Sequence, residues 1–156
     1  MPSSPSPNSP EPGKITIRTR NFGPVEVPQE HILTFSAGLL GFPECRRYVL
    51  LEPSQDSPFL WLQGVDDPAL AFVVMDPAQI VPGYQVELQE GTRRELGVAP
   101  HDEVKILVIL TIPPGRPEDM TANLLGPLVL NLRTRRGRQL VLEEALYSHQ
   151  HRLLIR

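Results

Sequence analysis

The sequence predicts a mainly β, single-domain protein: an antiparallel β-barrel or roll of about nine or ten short strands with one or two short helices. Three observations lead to this fold class. Turn signals recur about every 8–12 residues, the chain holds 18 Pro and 11 Gly among its 156 residues, and the apolar runs are short and often β-branched. The strand patterns do not alternate with helix patterns, which disfavours a doubly wound parallel sheet.

The first half of the chain contains strand patterns separated by turns. Ile15 and Ile17 alternate with polar residues, which predicts a half-buried strand, and a turn at 21–24 joins it to a second strand at 25–27. The run at 70–75 is continuously apolar, as in a strand that is buried on both faces. Three more strands are predicted at 32–35, 46–52 and 59–64.

The second half adds the helix candidates. The stretch 89–98 is the best of them, although Gly91 weakens it by about 1 kcal/mol, and 120–126 is a candidate for one helical turn. The apolar run within 101–112 is rich in β-branched residues and predicts a long central strand. The other expected elements are strands at 84–88, 127–134 and 139–144, the last two joined by a hairpin turn at 135–138.

We expect one domain with a tail at each end. The length of the chain suits one ordinary core better than two. Residues 1–13 are rich in Ser and Pro without apolar periodicity, which predicts a disordered tail. The predicted domain extends over 14–148, and 149–156 form a basic C-terminal tail.

Composition predicts a cytoplasmic protein. No run of about 18 apolar residues is present, so no membrane-spanning helix is expected, and the N-terminus does not resemble a signal peptide. Cys45 is the only cysteine and cannot form an internal disulfide. The net charge of −3 is uneven, because six Arg and two Glu after residue 130 leave −7 for the rest of the chain. Ordinary solubility and the attraction of basic partners both explain such an acidic body.

The sequence contains no motif for catalysis or cofactor binding. Phosphate-loop, dinucleotide, nucleophile-elbow and zinc-protease patterns are missing. His149 and His151 suit a solvated tail better than a metal site, and the neighbouring acid pairs lie in turns, where carboxylates seldom face each other. We therefore predict a protein that is not an enzyme and takes no cofactor, metal or small-molecule substrate. The remaining enzyme hypothesis is a site assembled from scattered Asp, Glu and His residues.

A basic turn at 133–138 provides the alternative function, a nucleic-acid-binding β-barrel. Its four Arg suit contacts with phosphate groups. Against this hypothesis, no aromatic residue is interleaved for base stacking and the body of the chain is acidic, so we expect no direct nucleic-acid contact. A charged hairpin tip that protects sheet edges explains the turn equally well. Trp61 likewise keeps two interpretations, a core residue or an exposed contact residue.

Three long segments carry a resemblance to a known family. FSAGLLGFPECRRYVLLE (35–52), SPFLWLQGVDDPALAFVVMDP (57–77) and PEDMTANLLGPLVLNLRTRRGRQLVL (117–142) resemble the bacterial flagellar assembly factor FliW in order and spacing. The resemblance covers roughly residues 14–148. The tail at 1–13 and the basic C-terminal end lie outside the pattern, so nothing is carried over to them.

The resemblance implies a cytoplasmic protein that switches between two partners. Members of this family bind flagellin and also bind the small RNA-binding repressor CsrA. A member that holds flagellin cannot hold CsrA, which then represses flagellin translation. Export of flagellin frees the factor to capture CsrA, and translation resumes.

Two sets of side chains are candidates for these contacts. The acidic residues suit the basic surface that an RNA-binding protein presents, and the apolar ones suit an amphipathic flagellin helix that needs a groove. A fold role, in which the apolar residues pack the barrel ends, stays open. The predicted partner-binding residues are Leu39, Leu40, Phe42, Asp56, Gln63, Asp66, Asp67, Glu118, Asp119, Met120, Asn123 and Leu124.

Overall fold

A computed structural model describes residues 12–143 and 147–153. Its regular elements are mostly short strands. Within the described residues the strands are β1 (Lys14–Thr19), β2 (Gly23–Pro28), β3 (Leu33–Phe35), β4 (Arg47–Leu51), β5 (Leu60–Gly64), β6 (Ala71–Met75), β7 (Val104–Thr111), β8 (Thr121–Ala122), β9 (Leu128–Asn131), β10 (Arg136–Gln139) and β11 (His151–Arg152). The α-helix α1 is Glu90–Glu95, and the 3₁₀ turns are Gln29–His31, Pro77–Gln79 and Pro117–Asp119.

Seven strands close a barrel. Their order is β7-β6-β5-β4-β3-β10-β9, and β9 pairs back onto β7. All neighbouring pairs are antiparallel except β3 and β10, which run parallel. The long strand β7 also pairs with β8, and β11 pairs with β8. The predicted fold class, a mainly β antiparallel barrel or roll of short strands with one or two short helices, is confirmed, and the described residues contain one α-helix and three 3₁₀ turns.

The barrel interior is filled by alternate side chains of the wall strands. Phe35 and Tyr48 meet edge to face, with ring centroids 5.5 Å apart. Gly137 on β10 leaves the space that Phe35 occupies, since a Cβ at that position would lie 2.5 Å from Phe35 Cζ. The buried residues of this cluster are Leu33, Phe35, Leu39, Tyr48, Leu62, Val74, Leu107, Leu128 and Leu130.

Two smaller clusters cover the outside of the barrel. The β1–β2 hairpin packs Ile17 and Val27 against Val49 on the outer face of β4. Residues from the 76–88 and 120–125 segments pack against Met75 and Val108 on the outer faces of β6 and β7. Side chains of β6 and β7 therefore meet apolar neighbours on both faces of the wall, which explains their nearly continuous apolar sequences.

Four predicted elements differ from the structure. The stretch 84–88 pairs with no strand among the described residues. The expected helical turn at 120–126 is instead β8 followed by a turn, because the Asn123 side chain accepts hydrogen bonds from the Leu125 and Gly126 amides. The helix is shorter than 89–98, because Leu96 and Gly97 already close its last turn. The hairpin turn lies at 132–135 and not at the predicted 135–138.

The hairpin between β9 and β10 turns earlier than predicted. The turn occupies 132–135, and β10 begins at Arg136. Asn131 fixes this position, because its side-chain Oδ1 accepts the Arg133 amide and its carbonyl accepts the Arg135 amide. Arg135 adopts φ 59°, a left-handed conformation that closes such turns. Only Gln139 of the predicted 139–144 strand belongs to β10.

The termini lie partly outside the described residues. Of the predicted N-terminal tail, the structure describes only residues 12 and 13. At the other end, β11 lies beyond residue 148, where we placed the end of the domain, and it pairs His151 with Ala122. No helix within 12–143 and 147–153 has the length and apolarity needed to cross a bilayer.

The close packing at Gly137 is testable by substitution. We expect Gly137→Ala to lower the free energy of unfolding by roughly 1–3 kcal/mol, because the new methyl group overlaps Phe35 and Leu130. Gly91→Ala is the matched control: it adds the same methyl group in open space within α1 and should stabilise by about 0.5–1 kcal/mol. Urea unfolding measures both, and equal stabilities would contradict the packing argument.

Candidate partner-binding surface

The loop between β3 and β4, residues 36–46, presents two large apolar side chains to solvent. Leu39 and Phe42 form a tight turn in which each amide donates to the other's carbonyl, at 3.3 and 2.8 Å. Gly38 has φ +66° and no room for a Cβ, which would lie 2.7 Å from the Phe42 carbonyl oxygen. Leu39 is consequently buried, whereas Leu40 at the tip is 59% exposed and Phe42 is 43% exposed.

This loop is anchored at both exposed residues. The Phe42 ring packs edge to face on Phe72, with centroids 5.3 Å apart. The Leu40 amide donates to Gln139 Oε1 at 2.8 Å, and Gln139 Nε2 donates to the Gly126 carbonyl at 3.0 Å. The loop is thus tied to β10 and to the turn after β8, and Leu40 is held in a fixed exposed position.

The turn between β5 and β6, residues 65–70, carries two acidic side chains. Gln63, buried beneath it, directs its Nε2 toward four carbonyl oxygens of residues 64–70 at 3.1–3.4 Å. Asp66 forms a two-contact ion pair with Arg47, with Nε to Oδ2 at 3.0 Å, and these hydrogen bonds hold the pKa of Asp66 below its usual value. Asp67 is exposed, and its Oδ1 accepts the Ala69 amide. Asp67 therefore carries the less compensated charge.

The segment that follows β7 contributes the other acids. Glu118 is exposed. Asp119 accepts a hydrogen bond from Arg152 of β11 at 2.8 Å and lies 3.5 Å from Arg116. Met120 is buried within the outer apolar cluster. Its side chain therefore supports the fold.

Strand direction decides which predicted residues share a surface. Three loops lie at one end of the barrel, because β4 and β6 begin there while β5 and β7 finish there. They are 36–46, 65–70 and 112–120, and we call this end of the barrel the loop end. Six of the predicted residues lie at this end and have exposed or half-exposed side chains: Leu40, Phe42, Asp66, Asp67, Glu118 and Asp119.

The other six predicted residues do not belong to that surface. Asp56 is exposed, but it lies in the β4–β5 connection at the opposite end. Asn123 is half-buried and uses its side chain to shape a turn. Leu39, Gln63, Met120 and Leu124 are buried, so the structure places them in the core and not on a contact surface.

A groove beside Leu40 was missed by sequence reasoning. It has a volume of about 490 Å³ and lies between the 37–43 loop and segments 87–92 and 138–142. Val141, on its rim, is 73% exposed, the most exposed large apolar side chain among the described residues. The sequence predicts an ordinary hairpin strand after Gln139, and it contains no local signal that the second edge of this stretch faces a groove.

The basic turn at the opposite end is paired within the chain. Arg133 donates to both carboxylate oxygens of Asp102, at 2.8 and 2.9 Å, and these bonds lower the pKa of Asp102. Arg138 donates to both oxygens of Glu95 at 3.0 and 2.8 Å, and Arg136 donates to the Glu95 carbonyl. Two of the four Arg charges that suggested a phosphate contact are therefore compensated by carboxylates.

Trp61 and the possible metal ligands are the other candidates from the sequence. Trp61 is half-buried and packs edge to face with Phe22, with centroids 5.4 Å apart, so it is partly covered by the β1–β2 turn. No group of three or more His, Cys, Asp or Glu side chains within the described ranges is placed to hold a metal ion.

Comparison with known proteins finds one consistent family. The family model described as "FliW protein" matches residues 16–153. The flagellar assembly factor FliW of Bdellovibrio bacteriovorus is 43% identical over 130 residues, covering 83% of this chain and 74% of that protein, and FliW of Alkaliphilus metalliredigens is 36% identical over 141 residues, covering 90% and 86%. A crystal structure of the flagellar assembly factor FliW is 36% identical with a TM-score of 0.83, covering 90% of this chain and 98% of that one.

The Asp102 ion pair predicts a pH dependence of stability. Because the folded-state pKa of Asp102 lies below its unfolded value, its contribution is present above the unfolded pKa and is lost as pH falls through the folded one. We expect Asp102→Asn to be less stable than wild type at about pH 7, with the gap narrowing toward about pH 3. Urea unfolding at the two pH values measures this, with exposed Glu103→Gln as control. A gap of constant size would contradict the assignment.

Proposed function

Because the chain belongs to the FliW family of flagellar assembly factors, we propose that it binds flagellin in the cytoplasm and antagonises the RNA-binding translational repressor CsrA. Flagellin translation would then follow flagellin export. The role is one of binding and not of catalysis. The proposal rests on the family and on the surfaces at the loop end.

The observation that carries the flagellin contact is the anchored 36–46 loop. Leu40 and Phe42 stay exposed although hydrogen bonds and the Phe72 ring fix the loop around them. Exposure of large apolar side chains to water is unfavourable in free energy, and burial against a partner removes this penalty. A loop that is already fixed also loses little conformational freedom on binding. These properties suit an apolar face of flagellin.

Acidic side chains at the same end support the CsrA contact. An RNA-binding protein presents basic surface, and Asp67 and Glu118 are exposed acids without an ion pair to another described residue. Asp66 and Asp119 are already paired with Arg side chains. Since the apolar and acidic groups lie at one end, a partner that covers the apolar loop would hinder access to the acids. This arrangement gives a physical basis for holding one partner at a time.

The nucleic-acid alternative has weaker support from the structure. Its main argument was the density of Arg in the 133–138 turn. Asp102 and Glu95 now account for Arg133 and Arg138, and the turn lies at the end opposite the exposed apolar loop. The ion-paired Arg at one end and the exposed apolar loop at the other therefore support protein binding better than nucleic-acid binding.

The direct test is titration of the purified chain with its cognate flagellin and with CsrA. We expect each protein to bind alone in isothermal calorimetry and the first one added to suppress binding of the second. Circular dichroism confirms that the chain is folded. A folded chain that binds neither protein at micromolar concentration would refute the proposal, and a ternary complex would refute mutual exclusion.

The apolar contact predicts a selective loss of flagellin binding. Leu40→Asp places a charge where the exposed Leu meets the partner and should weaken flagellin binding by at least about 2 kcal/mol, roughly thirtyfold. Leu132→Asp, at an exposed Leu of the opposite end, is the matched control and should bind as wild type. Equal effects of the two variants in the titration would exclude the 36–46 loop.

The acidic contact predicts a salt-sensitive loss of CsrA binding. Asp67→Lys should weaken CsrA binding by roughly 1 kcal/mol, about fivefold, with a smaller difference at high salt because mobile ions screen exposed charges. Asp56→Lys makes the same charge change at the opposite end and should have little effect. If Asp67→Lys binds CsrA with wild-type affinity, Asp67 is only a turn former.

A further inference from the structure

The edge of the barrel wall next to Leu40 has the features of a strand-binding site. We infer that the groove between segments 85–89 and 139–143 accepts an extended peptide segment of a partner protein as an added β-strand, and that this segment combines apolar side chains with Lys or Arg. The inference goes beyond the proposed function, because it concerns the conformation and chemistry of the bound segment and holds for whichever protein supplies it.

The first observation is that the pairing of β10 continues past its last assigned residue. Gln139 pairs with Leu128. In the same register the Leu140 amide donates to the Pro127 carbonyl and the Leu142 amide to the Leu125 carbonyl, each at 2.8 Å. Residues 140–142 therefore form a strand-like extension with a partner on one edge.

The second observation is that the other edge of this extension has no hydrogen-bonded partner within 12–143 and 147–153. β3 contacts β10 only at Arg136 and Gly137 and leaves the wall after Phe35. Because successive peptide groups of a strand point to opposite sides, the N–H and C=O of Val141 point away from 125–127 and into the groove. No hydrogen bond joins them to another described residue, and the Val141 side chain is largely exposed.

The third observation concerns the opposite rim of the groove. From Tyr84 to Gln89 the side chains alternate between covered and exposed, as they do in a strand, but the segment pairs with no strand among the described residues. Tyr84 anchors it, since its hydroxyl donates to the Leu124 carbonyl at 2.7 Å. A second cavity of about 960 Å³, which shares Glu87 and Val141 with the groove beside Leu40, separates residues 85–89 from 141–143 and Tyr147.

These observations favour an extended occupant over a helix. A helix satisfies its own backbone groups, so covering this edge with a helix would leave the Val141 N–H and C=O without a hydrogen-bond partner. An added strand satisfies that edge directly. The rim from 139 to 143 accommodates about five residues, or about 17 Å of strand.

The charge on the rims indicates the chemistry of the segment. Glu87 and Glu143 line the groove, both are exposed, and neither forms an ion pair with another described residue. Arg138, the basic residue on this rim, is already bound to Glu95. The groove is therefore acidic with apolar side chains from Leu40 and Val141, which suits alternating basic and apolar residues in the bound strand.

The test uses a fluorescein-labelled octapeptide in which Val alternates with Lys, measured by fluorescence anisotropy. We expect saturable binding, and about a tenfold loss of affinity when Lys is replaced by Glu. N-methylation of all Val amides in one peptide and of all Lys amides in another should cause a similar loss in one of the two peptides, because only one of these alternate sets faces Val141. Val141→Pro should cause a similar loss. Proline fits an edge whose N–H faces outward, so this variant should fold. Val141→Thr, which retains the amide, should bind within about twofold of wild type.

Each outcome decides the inference. Absence of binding up to about 1 mM, or equal binding by Val141→Pro, overturns it. Insensitivity to N-methylation in both peptides overturns the strand geometry even if Val141→Pro fails to fold, because that change lies in the peptide. Light scattering that shows a dimer lost in Val141→Pro would assign the groove to a second copy instead. Since the probe is a synthetic peptide, these results are independent of the flagellin and CsrA titrations.

Discussion

The barrel wall depends on a short contact, the parallel pairing of β3 with β10 at two residues of each strand. The contact exists because Gly137 has no side chain and Phe35 fills that space. Every other neighbouring pair in the barrel is antiparallel. β3 has only three residues and leads directly into the irregular 36–46 loop. The 36–46 loop therefore begins directly after the residues of β3 that pair with β10.

The same short contact shapes the candidate binding surfaces. Where β3 leaves the wall, the 36–46 loop begins and the far edge of β10 becomes free. Gln139 lies at this junction, and its amide joins Leu40 to Gly126. The exposed apolar tip and the strand edge that has no partner among the described residues are thus adjacent consequences of one strand ending early, and the rest of the barrel provides the rigid frame.

Charge is divided between the two ends of the barrel by internal pairing. At the opposite end, Asp102 and Glu95 bind Arg133 and Arg138, so two of the four Arg in the densest basic stretch of the sequence are compensated. At the loop end, Arg47 and Arg152 compensate Asp66 and Asp119 but not Asp67 or Glu118. Asp67 and Glu118 are therefore exposed acids outside these ion pairs, at the same end of the barrel as the exposed Leu40 and Phe42.

The sequence by itself determined the fold class, the family and most strands, because alternation, β-branched runs and turn residues are local signals. The apolar run of β6 was correctly interpreted as buried on both faces. Local pattern was insufficient at 84–88, where alternation is present but the described part of the chain contains no pairing strand. It also gave the wrong position for the β9–β10 turn, which depends on the Asn131 side chain.

Only the tertiary structure decided which predicted contact residues are available to a partner. Leu39 and Leu40 are neighbours of the same type, yet one is buried and the other exposed, because the turn closed by Gly38 and Phe42 directs them differently. Asp56 and Asp67 are both exposed acids, but strand direction places them at opposite ends. Burial and co-location depend on residues distant in sequence, so a local pattern could name the candidates but could not assemble them into a surface.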